Sequence, residues 1–117
     1  VRRREFPDCC GRMGSNYFYD SIELCKNLYE EDWGSAPLEE RERIRLFEVE
    51  ASGRTARYDM QLFDEAFDCL SEGQTAEDIR HCMKLARMYY QGGRSVSPII
   101  EILCDGTVTA IRELALR

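Results

Sequence analysis

Apolar residues recur at helical spacing along most of the chain, and this pattern predicts five helical segments. The segments cover residues 15–31, 37–51, 55–72 and 76–91, and a fifth runs from Ser97-Pro98, past a break at Gly106-Thr107, to the end. A short strand at Val108-Thr109 is an alternative that the pattern leaves open. The fourth segment has the cleanest stripe, formed by Ile79, Cys82, Met83, Ala86, Tyr89 and Tyr90.

Local signals support the ends of two of these helices. Gly73 is expected to close the third helix, and the run from Thr75 to Asp78 has the spacing of a capping box with Asp in place of the usual Glu. Amphipathic helices joined by short links are typical of helical bundles. We therefore predict an all-α fold, a compact bundle of five to six short helices. It forms a single helical domain over residues 15–117, after an irregular N-terminal arm over residues 1–14.

Cysteine is the unusual component, with 6 residues among 117. Cys9 and Cys10 adjoin in the arm, which has no apolar pattern of its own. The other four lie on or beside apolar helical faces: Cys25, Cys69, Cys82 and Cys104. The number of cysteines is even, and the arm lacks apolar residues that could hold it against the bundle. We therefore predict three disulfides and a secreted, extracellular protein. The connectivity stays open, although we expect Cys9 and Cys10 to bond to two different helical cysteines. Buried reduced thiols are the alternative.

The charge balance excludes one class of partner. The chain carries 16 basic and 22 acidic residues, for a net charge of -6, and lacks the basic face that nucleic-acid binding requires. Its short basic run, Arg2 to Arg4, is interpreted as a solvated tail or the remnant of a processing site. No apolar run is long enough to span a bilayer, so we expect no membrane insertion. Because the chain begins with Val1 and has no apolar signal region, we expect a mature form or a fragment.

Motifs for catalysis or metal binding are missing from the sequence. No Cys-x2–4-Cys pair occurs, and the lone His81 adjoins Cys82 at an angle that does not suit a shared ion. A nucleophile elbow, a P-loop and a dinucleotide fingerprint are also absent. We therefore predict a protein that is not an enzyme, with no catalytic residues, no metal site and no cofactor.

Protein–protein contact is the function that these observations favour, in a secreted hormone-like signal or effector that meets a receptor or another protein target. Trp33, Tyr89 and Tyr90 are the candidate contact residues, because aromatic side chains often anchor interfaces. Two stretches, Cys69–Ala76 and Leu103–Leu114, resemble parts of the stanniocalcin hormones, although most cysteines of that family are missing and no site is carried over. The alternatives are a carrier of a small apolar ligand and an intracellular helical adaptor with reduced cysteines.

Overall fold

The fold is α+β, which corrects the prediction of an all-α bundle. The computed structural model describes residues 2–116, apart from the side chains of residues 3, 4 and 13. The α-helices in this range are α1 (Arg2–Glu5), α2 (Ile22–Trp33), α3 (Leu38–Arg41), α4 (Met60–Glu72) and α5 (Ala76–Tyr90). The strands are β1 (Asn16–Phe18), β2 (Leu46–Ser52), β3 (Thr55–Asp59), β4 (Ile100–Cys104) and β5 (Thr107–Leu114).

The helices with the clearest stripes are confirmed. Helix α5 begins with the expected capping box, in which the Thr75 hydroxyl accepts from the Asp78 amide and the Asp78 carboxylate accepts from the Thr75 amide. Gly73 ends α4 and donates its N–H to the carbonyl of Cys69. The first predicted helix is confirmed only from Ile22 onward, because its start is strand β1 and the Ser21 hydroxyl caps α2.

Two predicted helices are wrong over most of their length. The segment 37–51 contains the single turn α3 and then β2, and the segment from Ser97 to the end contains β4 and β5. Residues 55–59, taken as the start of the third helix, form β3. The segment from Ser97 to the end is rich in β-branched residues, which favour strands, whereas residues 37–51 contain only Ile44 and Val49. Short apolar runs fit both helical and strand periods. Backbone hydrogen bonds between segments that are distant in the sequence determine that these stretches form strands.

The strands β2 and β3 are two parts of one bent strand, and β4 and β5 form a second. The two bent strands pair antiparallel with one register on both sides of the bend, since Ser52 pairs with Thr107 and Thr55 pairs with Cys104. The inner half, β3 with β4, has β1 on the other edge of β4. The outer half, β2 with β5, forms a separate two-stranded sheet that we call the projecting ribbon.

The core lies where the helical hairpin of α4 and α5 packs on the inner half of the paired strands. This hairpin connects β3 to β4 along the chain, so the sheet and the hairpin enclose the same apolar cluster. Tyr58 and Tyr89 meet there with ring centroids 4.5 Å apart. The buried members of the cluster are Cys10, Tyr58, Leu62, Ala66, Leu85, Tyr89 and Leu103.

The bend depends on two glycines that face each other. Gly53 has a φ of 128°, a conformation that favours glycine, and a Cβ on Gly106 would lie 1.9 Å from the carbonyl oxygen of Ser52. We expect Gly106→Ala to lower the free energy of unfolding by about 2 kcal/mol or more, because a backbone clash must be relieved. Urea unfolding measures the change. Gly14→Ala is the control, since a Cβ there meets no atom within 4 Å; equal effects would contradict this account.

Candidate functional site

The two faces of the projecting ribbon differ in polarity over most of its length. Side chains alternate between faces along a strand, so the pairing register assigns each residue to a face. One face, called the apolar face, carries Phe47, Val49, Ala51, Val108 and Ala110. The other, called the polar face, carries Glu48, Glu50, Ser52, Thr107, Thr109 and Arg112. At the outer end of the ribbon the two faces are mixed, since Leu46 and Leu114 lie on the polar face and Glu113 lies opposite Phe47 on the apolar face.

The apolar face lies outside the core cluster. The main contacts of β2 and β5 are with each other, and no other element of residues 2–116 packs extensively on them. The Phe47 side chain is 39% exposed, and Ala110 is exposed as well. The radius of gyration is 15.9 Å, compared with about 13 Å for a compact domain of this length. Val49, Ala51 and Val108 are half-buried, so the ribbon presents an apolar surface that the described part of the chain leaves partly exposed.

An ion pair lies at the outer end of the apolar face. The Arg45 guanidinium donates to both carboxylate oxygens of Glu113, at 2.7 and 3.0 Å, and lies 5.0 Å from the centre of the Phe47 ring. The hydrogen bond from Arg45 lowers the pKa of the Glu113 carboxyl. On the polar face, Arg112 donates to Glu48 at 2.6 Å. Charged groups of both signs thus border the apolar residues.

The ribbon also contains a β-bulge. The register shifts between Glu48 and Val49, whose partners are Arg112 and Ala110, so Ile111 is an extra residue in β5. Among the described strands, β2 and β5 each have one edge without a partner strand. Bulges twist a strand and hinder the addition of another strand at its edge. The faces of the ribbon are therefore better suited to contact than its edges.

A second polar cluster is buried at the core. Glu101, on β4, is 1% exposed and accepts from the Tyr89 hydroxyl at 2.5 Å and from the Arg12 guanidinium. The Arg12 guanidinium lies 3.8 Å from the centre of the Phe63 ring and 4.8 Å from that of Tyr17. Every charge in this cluster has a partner, so it fixes the N-terminal arm to the sheet and holds no free group for chemistry.

The arm has further polar anchors that the sequence did not reveal. Arg87 donates to the Glu5 carboxylate at 2.8 Å, and Arg54 donates to the Asp8 carbonyl at 2.7 Å. The Phe6 ring stacks on Tyr90 with centroids 5.9 Å apart. Because these contacts fix the arm, it does not need the covalent cross-links that we predicted for it.

The prediction of three disulfides is wrong in this structure. All six cysteines lie in the described range and all are free: Cys9, Cys10, Cys25, Cys69, Cys82 and Cys104. Three thiols donate to backbone carbonyls instead, from Cys10 to Arg54 at 3.7 Å, from Cys69 to Asp78 at 3.8 Å and from Cys104 to Ser52 at 3.8 Å.

Burial also raises the pKa of the Cys10 and Cys25 thiols, which disfavours the reactive thiolate. The argument for secretion and hormone-like signalling depended on disulfides and loses that support.

The three candidate aromatic residues lie in different environments. Tyr89 is 2% exposed and belongs to the core, so it is not available to a partner. Tyr90 is partly buried among Phe6, Tyr58 and Tyr89. Trp33 is the exposed one, at the end of α2. The structure does not bring these residues together into one surface.

The described residues contain no cluster of three or more His, Cys, Asp or Glu side chains that could hold a metal ion. Within the same range, no helix combines the length and the apolar character needed to cross a bilayer. His81 lies 3.8 Å from the carboxylate of Glu65, on the exposed side of the helical hairpin.

Two depressions of about 360 and 390 Å³ are open to solvent. The first lies at the outer end of the projecting ribbon, beside Arg45 and Glu113, and its other lining residues are apolar: Ile44, Leu46, Leu114, Ala115 and Leu116. The second is lined by polar residues that include Asp64, Glu65 and Asp68. A carrier of a small apolar ligand usually encloses most of its ligand in a mainly apolar pocket. Because both depressions are open to solvent, neither encloses a ligand in that way.

Sequence reasoning missed the projecting ribbon, although the signal for it was present. Phe47, Val49 and Ala51 alternate with Glu48 and Glu50, and this period of two is typical of a strand with one apolar face. Comparison with known proteins adds no relative, since no family model, no curated protein and no solved structure matches the chain.

Proposed function

We propose that this protein is a non-catalytic interaction module whose contact surface is the apolar face of the projecting ribbon. The observation that carries the proposal is a set of five apolar residues from two strands, on a surface that no other described element covers extensively. Contiguous exposed apolar surface on a soluble domain is characteristic of a binding site. Protein contact is also the function that the sequence favoured, now at a different surface.

The border of the apolar face supports the same proposal. Protein interfaces commonly have an apolar centre and a polar rim, and their apolar centre contains few charged residues. Here the Arg45–Glu113 pair lies at the outer end, while the centre consists of small and branched side chains. The Phe47 ring lies between the two zones, so it is suited to act as an anchor.

Photo-crosslinking from single positions of the ribbon tests this proposal. A photoreactive amino acid is placed at Ala110, on the apolar face, or at the adjacent Thr109, on the polar face; both positions are exposed. After illumination of cells that make the protein, we expect a covalent adduct of defined mass from position 110 and a much weaker one from position 109. Phe47→Lys in the same chain should abolish the adduct, because a charge then enters the apolar face.

Two results would refute the proposal. One is the absence of any protein adduct from position 110 in a correctly folded variant. The other is an adduct that forms equally from position 109 and persists with Phe47→Lys, because the contact would then not depend on the apolar face. Circular dichroism of each purified variant confirms that the fold is retained.

A further inference from the structure

We infer that the exposed side of helix α4 binds an arginine-rich segment of a partner protein. This inference goes beyond the proposed function, because it concerns a second surface that shares no residue with the apolar face of the ribbon. We call this second surface the α4 face, and it consists of five exposed residues: Phe63, Asp64, Glu65, Phe67 and Asp68. Three observations support the inference: the position of the net charge in the chain, two exposed aromatic rings, and a depression with an acidic wall.

The negative charge of the protein is concentrated in one segment that contains α4. Residues 58–79 contain seven acidic residues and no lysine or arginine, whereas the rest of the chain contains 15 acidic and 16 basic residues. Asp59 is buried with its own donors, and Asp78 belongs to the capping box of α5. The other acidic residues of the segment are exposed: Asp64, Glu65, Asp68, Glu72 and Glu77. Such a surface attracts a cationic partner and repels nucleic acid and acidic membranes.

The carboxylates of the α4 face have little compensation within the chain. Partial burial raises the pKa of Asp64, and three neighbouring carboxylates raise it further: those of Asp68, Asp32 and Asp59. The cation that opposes them is Arg12, which is already paired with Glu101. Glu65 lies 3.8 Å from His81, which is a cation only when it is protonated. A cationic partner would therefore relieve a repulsion that the free protein retains.

Two exposed aromatic rings lie among these carboxylates. Phe63 is 38% exposed and Phe67 is 63% exposed. They are four residues apart on α4, so their side chains are neighbours on one side of the helix. The Arg12 guanidinium lies 3.8 Å from the centre of the Phe63 ring, whereas no cation of the described residues lies over Phe67. Arginine binds both to aromatic faces and to carboxylates, so it suits both components of the α4 face.

A depression of about 390 Å³ beside α4 provides room for a cationic side chain. It is lined by Gln61, Asp64, Glu65 and Asp68 of the helix and by residues 95–97 of the loop before β4. Since the described residues contain no side-chain cluster that could hold a metal ion, these carboxylates are suited to a larger cation. A guanidinium meets this requirement, because its planar fork can donate to two carboxylate oxygens at once.

Fluorescence anisotropy of a labelled peptide tests the inference. The probe is an oligopeptide of alternating arginine and serine, titrated with the full chain at low ionic strength, where exposed charges are little screened. We expect saturable binding, and replacement of each arginine with its uncharged isostere citrulline should abolish it. Asp64→Asn together with Asp68→Asn should raise the dissociation constant about tenfold, because two charged contacts are lost. Glu39→Gln together with Glu40→Gln is the matched control, with the same loss of charge at exposed positions of α3, and should change the constant less than about twofold.

The aromatic contact is tested by a separate pair of variants. Phe67→Leu keeps an apolar side chain but removes the ring, so the dissociation constant should rise about threefold, which corresponds to an exposed cation–π contact. Phe47→Leu removes an exposed ring from the projecting ribbon and should leave the constant unchanged. Circular dichroism of each variant confirms that the fold is retained.

Four results would overturn the inference. The first is no binding of the arginine peptide at protein concentrations up to about 1 mM. The second is equal binding of the citrulline peptide, which would remove the role of charge. The third is an equal effect of the α3 and α4 double variants, since the peptide would then respond only to the overall charge. The fourth is an unchanged constant for Phe67→Leu, because the α4 face would then attract any cation without selecting arginine.

Discussion

Replacing Arg12 with methionine is expected to lower the free energy of unfolding by about 3 kcal/mol, because the variant leaves Glu101 buried without its cation. The Glu101 side chain is 1% exposed, and its other side-chain hydrogen-bond partner is the neutral Tyr89 hydroxyl. Urea unfolding at neutral pH measures the loss. Methionine has a side chain of similar length, but the contact of the Arg12 guanidinium with the Phe63 ring is lost together with the charge.

Arg57→Met is the matched control for this change. Arg57 pairs with Asp20 at the surface, where both side chains are more than half exposed, and exposed pairs contribute less than about 1 kcal/mol. The double variant Arg12→Met with Glu101→Leu should recover much of the loss, because no buried charge remains. If Arg12→Met costs no more than Arg57→Met, the cluster does not hold the arm as described.

Replacing Asp59 with alanine is the second change with a large expected effect, again about 3 kcal/mol of unfolding free energy. The Asp59 side chain is fully buried and accepts three backbone N–H groups. Its Oδ1 accepts from Gln61 and Ile99 at 3.0 Å, and its Oδ2 accepts from Ser95 at 2.6 Å. One carboxylate thus caps α4 and fixes the loop before β4. Alanine leaves three donors without this acceptor.

The same carboxylate predicts a pH dependence of stability. Burial raises the pKa of Asp59, but the hydrogen bonds from Ser95, Ile99 and Gln61 outweigh it and leave the pKa below its ordinary value. The Asp59 contribution is therefore complete above the unfolded-state pKa of about 3.9 and is lost as the pH falls through the lower folded-state pKa. Asp59→Asn should make the free energy of unfolding less dependent on pH below about 4. Equal acid profiles for wild type and Asp59→Asn would contradict this assignment.

The two central helices could be predicted from the sequence because their signals agree. Thr75 and Asp78 mark the start of α5, Gly73 marks the end of α4, and the apolar stripes of both helices have a period near 3.6. In both helices, the capping hydrogen bonds and the apolar periodicity involve residues that are close together in the sequence. Such helices can be predicted because the interactions that form them lie between near neighbours in the sequence.

The strands could not be predicted in the same way, since their partners are far away in the chain. Ile100, Leu103 and Cys104 have the spacing of an inward helical face, yet they belong to a run short enough to form a buried strand. The pairing of β4 with β3 across the helical hairpin decides for the strand. Phe47 lies in the segment 37–51 that was predicted to be helical, whereas its alternation with Glu48 was the better signal. The candidate site was missed for the same reason, because it exists only after β2 and β5 pair.

The separation of β2 from β5 along the chain affects when the projecting ribbon can form during synthesis. Ser52 and Thr107 pair in the ribbon, yet more than fifty residues separate them. At about 5–20 residues per second, the ribosome makes β5 several seconds after β2. During that interval β2 has both edges unpaired and no partner for Phe47 and Val49. Glu48 and Glu50 alternate with these residues, and charges in such positions hinder aggregation of strands that wait for their partners.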